Sequence, residues 1–201
     1  MAKIKRTKGE LKAQQEQLHR YQRFLPTLQL KKQQLQSAVQ HTQQERRRLE
    51  AQQERLQTDL EPWIGLFAED NDLAARLTAQ QVRLSTQNIA GLEVPVLEEV
   101  TFAVQMPDPH ATPPWWDAGL EVLQEAVRLQ VKLKVLTQRE TLLTQELRKT
   151  TQRVNLFEKI KIPECLENIR VVQIALGDLQ TASVTRAKLA KNKMRQRDAA
   201  S

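Results

Sequence analysis

The 201-residue chain contains 27% charged and only 4% aromatic residues, with five glycines. So few turn-forming and bulky residues argue against a compact globule and favour long helices. Residues 1–50 hold 12 basic and 4 acidic residues, residues 51–150 hold 9 and 15, and residues 151–201 hold 10 and 5. Both ends are therefore basic and the middle is acidic.

The sequence offers no catalytic, cofactor or metal constellation. The three histidines, His19, His41 and His110, are far apart, and the glycines form neither a phosphate loop nor a dinucleotide fingerprint. Cys165 is the single cysteine and has no histidine near it in sequence, so we expect a buried structural thiol in a reducing compartment. We expect a protein that is not an enzyme and needs no cofactor.

No targeting or membrane-spanning segment is expected either. The start of the chain is basic but lacks the apolar run of a signal peptide. No stretch approaches the roughly 18 apolar residues that a membrane span needs.

A heptad pattern predicts one long N-terminal helix over residues 1–61. Twelve of eighteen heptad core positions between residues 4 and 63 are apolar, which is typical of a coiled coil. The predicted seam of this helix contains Ile4, Leu11, Leu18, Leu25, Leu28, Leu35, Val39, Leu49, Leu56 and Leu60.

Polar residues interrupt this seam at Lys32, Arg46 and Gln53, where they either specify register and partner or reflect local tolerance. Pro26 should kink the helix or mark a restart, because it lacks a backbone donor.

A small head is predicted for residues 62–116. Pro62 suits the first turn of a short helix that continues through Phe67. β-branched runs between residues 82 and 106, punctuated by Gly91 and Pro95, predict a hairpin or a sheet of two to three strands. The proline-rich residues 107–116 predict a loop, in which Trp115 and Trp116 either anchor an interface or cap the helices.

A second long helix is predicted over residues 117–201, with Asp117 as its N-cap. Eight residues rather than seven separate Phe157 from Cys165, so the supercoil must unwind locally near Pro163. The predicted seam of this helix contains Val154, Phe157, Cys165, Ile169, Val172, Leu176 and Leu179.

Together these elements predict a mainly α fold: a long antiparallel two-helix coiled coil whose small central head contains a short helix and a β-hairpin. An antiparallel return would bring both basic termini to one end, as a basic tip. Its cations would be Lys3, Lys5, Arg6, Lys8, Arg186, Lys188, Lys191, Lys193, Arg195 and Arg197.

Several motifs resemble the D subunit family of V-type ATPases and ATP synthases. The C-terminal block runs from Arg153 through Phe157 and Glu158 to Ile162-Pro163, and the mid-chain block from Asn88 to Pro95. The start, Thr7 to Leu11, is also similar, whereas Gln33 departs from the family's aspartate. The matching motif residues are Asn88, Gly91, Pro95, Arg153, Val154, Asn155, Glu158, Ile162 and Pro163.

The resemblance implies the axle of a rotary motor. Such an axle stands inside a hexamer of catalytic A and regulatory B subunits, binds a small F subunit and rests on a funnel-shaped stalk protein that joins the membrane rotor ring. It implies a non-catalytic, cytoplasmic, peripheral protein that couples ATP synthesis or hydrolysis to proton or sodium transport. It implies no direct contact with nucleotide, nucleic acid or the membrane interior.

Composition alone leaves two other classes of protein open. A basic coiled coil that binds nucleic acid, or a scaffold at a membrane surface, would also be helical and poor in aromatic residues. The acidic middle weighs against nucleic acid, and the terminal segments lack the aromatic face of a membrane-surface helix.

Overall fold

A computed structural model describes residues 4–63, 65, 77–105 and 113–198. Helix α1 spans Lys8–Leu60, and a 3₁₀ turn follows at Glu61–Trp63. Strands β1 (Leu77–Ile89) and β2 (Leu92–Val104) pair in antiparallel fashion. Helix α2 (Trp116–Leu156), a π turn (Phe157–Lys161) and helix α3 (Ile162–Asp198) complete the described chain. The expected fold class, long helices with a small hairpin, is confirmed.

Two expectations concern residues that lie partly outside this description. The short helix predicted after Pro62 is seen only as the 3₁₀ turn, and its continuation through Ile64, Leu66 and Phe67 lies outside the described residues. Residues 107–112 of the predicted proline-rich loop, residues 107–116, lie outside them too. Helix α2 begins at Trp116, so Asp117 occupies its first turn rather than the cap.

The chain forms two compact units. The terminal unit contains Met1–Leu30 and Thr150–Ser201, and the central unit contains Lys31–Lys149. The predicted division into segments 1–61, 62–116 and 117–201 follows the sequence rather than these units and stays a prediction.

The helices of the terminal unit run antiparallel. The Tyr21 and Phe157 rings lie 4.9 Å apart between centroids at a tilt of 52°. The Asn168 side-chain amide donates to the Gln14 amide oxygen over 3.4 Å. Because a later residue of α1 meets an earlier residue of the C-terminal half, the two helices of the pair have opposite directions.

Helix α1 begins at a local cap. The backbone N–H of Glu10 donates to the Thr7 hydroxyl over 3.2 Å, so Thr7 supplies an acceptor for the first helical turn. A threonine followed three residues later by glutamate is the capping-box pattern. The helix then continues without interruption through Pro26 to Leu60, so the restart considered for Pro26 does not occur.

The π turn absorbs the extra residue of the second heptad series. The backbone N–H of Ile162 donates to the carbonyl of Phe157, five residues earlier, instead of the usual four. Pro163 follows immediately and has no N–H to continue an α-helical ladder at its own position. The local unwinding expected between Phe157 and Cys165 therefore takes the form of one wide turn.

The hairpin of the central unit is anchored at both of its ends. Near its turn, buried Val94 belongs to a cluster with Leu35, Val39 and Leu143 of the two helices. At its base, Leu77 and Val104 pack against Trp116 and Leu120. Register shifts between Ala79 and Gln81 and between Arg83 and Leu84 mark two irregularities in the ladder.

Candidate functional site

The mid-chain motif builds the hairpin turn. Ala90 and Gly91, at φ 51° and 80°, are the two residues between the paired strand ends Ile89 and Leu92. Positive φ at both central positions matches a type I′ turn, whose twist suits a two-residue hairpin. The side-chain oxygen of Asn88 accepts a hydrogen bond from the Gly91 N–H over 2.9 Å. Asn88 and Gly91 thus have a direct structural role.

The motif continues into the strand that faces the helices. Val94 is fully buried in the central-unit cluster, and Pro95, paired with Thr86, follows it. Proline is tolerated here because each strand of a two-stranded sheet has a free edge that needs no N–H donor.

The C-terminal motif surrounds the π turn. Val154 is buried and Ile162 half-buried, whereas Arg153, Asn155, Glu158 and Pro163 are exposed. The apolar side chains of Leu156 and Ile160 are also exposed in this segment. The motif therefore combines one buried anchor with a solvent-facing surface beside a widened turn.

The predicted seam residues differ in their burial. Leu35, Val39, Val154, Cys165 and Val172 are buried, and Leu179 is 61% exposed. The half-buried members are Ile4, Leu11, Leu18, Leu25, Leu28, Leu49, Leu56, Leu60, Phe157, Ile169 and Leu176. Their assignment to one coiled-coil seam stays a prediction.

A polar cluster joins the two helices of the central unit at Arg46, one of the polar seam positions. The Arg46 Nε donates to Glu140 over 3.0 Å, and its Nη1 pairs with Glu50. The Gln43 amide donates to the other oxygen of Glu140 over 2.9 Å. Lys31 and Glu146 form a second inter-helix pair at 2.9 Å. Sequence reasoning identified Arg46 but none of its partners.

The C-terminal part of α3 has a bare surface. Every described side chain from Gly177 to Gln196 is exposed, and Leu179, Val184, Leu189 and Met194 are each more than half exposed. The contact of Gln14 with Asn168 puts Lys8, the first residue of α1, near the level of Ile174, so α1 does not extend alongside residues 177–196. A helix of this length is only marginally stable in water without tertiary contacts.

The predicted basic tip falls in these terminal segments. The cations Lys5, Arg6, Lys8, Arg186, Lys188, Lys191, Lys193 and Arg195 are all exposed. Lys3 lies outside the described residues, as does the side chain of Arg197. The helix register sets the α3 cations beyond the level of Lys8, and their collection at one tip stays a prediction.

Cys165 is buried in the terminal unit. Burial raises the pKa of its thiol, and the neighbouring Glu164 raises it further, because both disfavour the thiolate. Nearby, the Lys161 ammonium pairs with Glu164 over 2.9 Å, and this hydrogen bond raises the lysine pKa. A thiol held neutral in this way is a poor nucleophile.

A half-open cavity of about 180 Å³ lies in the central unit, between β2 and the two helices. Pro95, Val96 and Leu97 form its strand side. Its helix sides contain apolar Leu49, Val135 and Leu136 and charged Glu45, Lys132 and Arg139. Nothing in the sequence pattern singled out this combination.

Known proteins of one family are similar to this chain over nearly its whole length. The family model of the ATP synthase D subunit matches residues 10–192. The chain is 39% identical to the V-type ATP synthase D subunit of Borreliella burgdorferi over 194 residues, which is 96% of each chain. It is 32% identical to the protein of the same name from Chlamydia caviae, over 98% of this chain and 96% of the relative. This chain belongs to the ATP synthase D subunit family.

Family membership accounts for the long helices, since the D subunit is the central-stalk subunit of a rotary ATPase. No helix among the described residues is long and apolar enough to cross a membrane.

Proposed function

We propose that this D subunit is the non-catalytic rotor of a V-type ATP synthase or ATPase, turning inside a hexamer of catalytic A and regulatory B subunits. It couples ATP synthesis or hydrolysis there to the transport of protons or sodium ions. It works on the cytoplasmic face of the membrane, bound to a small F subunit and to a funnel-shaped stalk protein that joins the rotor ring. The family match over residues 10–192 is the observation that carries this proposal.

The exposure of the C-terminal part of α3 favours a partner that surrounds this helix. Residues from Gly177 to Gln196 are exposed on every side, although several of them are large and apolar. An isolated helix with several exposed apolar side chains is only marginally stable in water, and cover by other chains would stabilise it. A collar of subunits around the helix would supply that cover.

The charge of this segment suggests which chemical groups of the surrounding subunits face it. Arg186, Lys188, Lys191, Lys193 and Arg195 are exposed, while Asp178 and Asp198 are the only acids in the sequence between Gly177 and the C-terminus. Carboxylates or backbone carbonyls of the surrounding subunits would complement these cations.

A rotor must resist twisting, and the central unit has suitable contacts. Buried Leu35, Val39 and Leu143 hold the two helices together, and the Arg46–Glu140 pair links them through directed hydrogen bonds. Rotation of such a pair would bias the catalytic interfaces between their two states, which is coupling in the thermodynamic sense.

Affinity purification of the tagged chain from its own cells tests the proposal. We expect nucleotide-binding A and B subunits and a small F subunit to copurify in fixed ratio. Recovery of nucleic acid, or of the chain alone under conditions that preserve large assemblies, would contradict it.

Truncation of residues 186–201 tests the role of the basic, exposed C-terminal part of α3. We expect the truncated chain to keep the rest of its helix content but to assemble less well or to lose coupling. A matched control replaces the six cations of residues 186–201 by glutamine and keeps the length, which separates charge from helix contact. Full coupled ion transport by the truncated complex would refute an essential role for the segment.

A further inference from the structure

The cavity of the central unit is lined by a cation, Arg139, whose hydrogen-bonding capacity is only partly used by the described residues. The Nε of Arg139 is buried and has no hydrogen-bond partner in the part of the chain that the structure describes. Its Nη2 reaches the Gln87 side-chain oxygen at a long 3.4 Å. The Nε has almost no accessible surface, so a ligand in the cavity would meet this guanidinium at its Nη groups, where among the described residues Nη2 has only the long contact with Gln87.

The charged residues around Arg139 favour a negatively charged ligand. Lys132 is two helical turns away on the same face of α2 and lines the same cavity. Among the described residues, Glu45 is the one acid of the lining. Neither Lys132 nor Glu45 forms a salt bridge with another described residue, so the lining carries two cations against one anion. A planar carboxylate matches the fork geometry of the guanidinium.

The other residues of the lining are apolar and favour a ligand whose remaining part is apolar. Leu49, Pro95, Leu97, Val135 and Leu136 form most of the wall. The volume, about 180 Å³, exceeds the roughly 150 Å³ at which an apolar cavity in another protein accepts benzene. A ligand of one ring or a short aliphatic chain therefore fits beside the charged side chain.

We propose that this cavity binds a carboxylate carried on a small apolar group, with Arg139 as its anchor. The guanidinium receives the carboxylate, Lys132 adds attraction, and the wall between β2 and the helices covers the apolar part. Such a group has two sources: a free small organic acid, or an acidic side chain beside an apolar one on another subunit. The site is separate from the bare α3 segment, and its chemistry does not depend on the proposed function.

Ligand chemistry is tested on the full-length wild-type chain with three probes of one size: benzoate, benzyl alcohol and benzylamine. Titration followed by NMR should shift the signals of Val96, Val135 and Leu136. Benzoate should bind about tenfold or more tighter than benzyl alcohol, and benzylamine should bind most weakly. Equal binding of benzoate and benzyl alcohol, or no binding at these residues, would overturn the proposal.

Arg139→Met should reduce benzoate affinity about tenfold or more and leave that of benzyl alcohol nearly unchanged, whereas Arg139→Lys should restore part of the loss. Arg148→Met is the matched control, because Arg148 is an exposed arginine of the same helix outside the cavity. Circular dichroism verifies that each variant is folded. A benzoate affinity unaffected by Arg139→Met would contradict the anchor, and the wild-type comparison of probes remains valid if that variant fails to fold.

Repeating the benzoate titration on the chain within its purified assembly distinguishes the two sources of the carboxylate. Loss of benzoate binding that returns on dissociation identifies a side chain of another subunit as the occupant. Unchanged binding identifies a site open to free organic acids. Failure of the chain to assemble would refute the proposed function without affecting the result on the isolated chain.

Discussion

Leu143→Ala should destabilise the central unit more than any exposed leucine substitution does. Leu143 is fully buried in the cluster that joins both helices to Val94 of the hairpin. Loss of three carbons costs about 2.4 kcal/mol of transfer free energy at about 0.8 kcal/mol per methylene. The cavity left between three elements raises the expected loss of unfolding free energy to about 3–4 kcal/mol.

Urea unfolding followed by circular dichroism measures this loss, and hydrogen exchange locates it. Amide protection in β2 around Val94 should fall together with that of α2, because one cluster holds both. Leu179→Ala is the matched control, since Leu179 is 61% exposed and its truncation should change stability by less than about 0.5 kcal/mol. A loss below about 1 kcal/mol for Leu143→Ala, or unchanged protection of β2, would show that Leu143 does not join the helices to the hairpin.

Three further predictions concern single residues. Gly91→Val should lower the free energy of unfolding by about 1–2 kcal/mol through backbone strain alone, because φ is 80° and the surrounding space is open. Equal stability in urea would contradict the turn geometry. Glu140→Gln should cost about 1 kcal/mol at pH 7 by weakening the Arg46 pair. A variant as stable in urea as the wild type would contradict a stabilising ion pair. Burial and a raised pKa should slow alkylation of Cys165 by iodoacetamide at least about tenfold relative to the urea-unfolded chain, and equal rates would refute its burial.

The long helices could be predicted from sequence because their apolar residues repeat with the helical period. Period alone reports which face of a helix is apolar, but it does not report what covers that face. Leu179 illustrates this difference: it continues the heptad series, yet it is exposed because it lies beyond the level of Lys8, where α1 begins. Burial depends on the partner's length, which a pattern in one helix does not contain.

The hairpin was recognised from β-branched residues and Gly91, but its first strand begins at Leu77, five residues before the predicted segment. Residues of β1 are mostly exposed and polar, so the first part of this strand lacks an apolar alternation that sequence could reveal. The cavity and Arg139 were missed for a related reason. Their positions belong to three separated segments, and no spacing within one segment marks them.

Rotation of this chain inside its complex is the behaviour that a central-stalk rotor must show. Gln81 is exposed on β1, so a cysteine at this position can carry a biotin and a bead while native Cys165 stays buried. With the hexamer fixed to a surface, we expect rotation in one direction that requires ATP and stops when ATP is consumed. A bead that stays still, or only fluctuates, while the same complex hydrolyses ATP would contradict it.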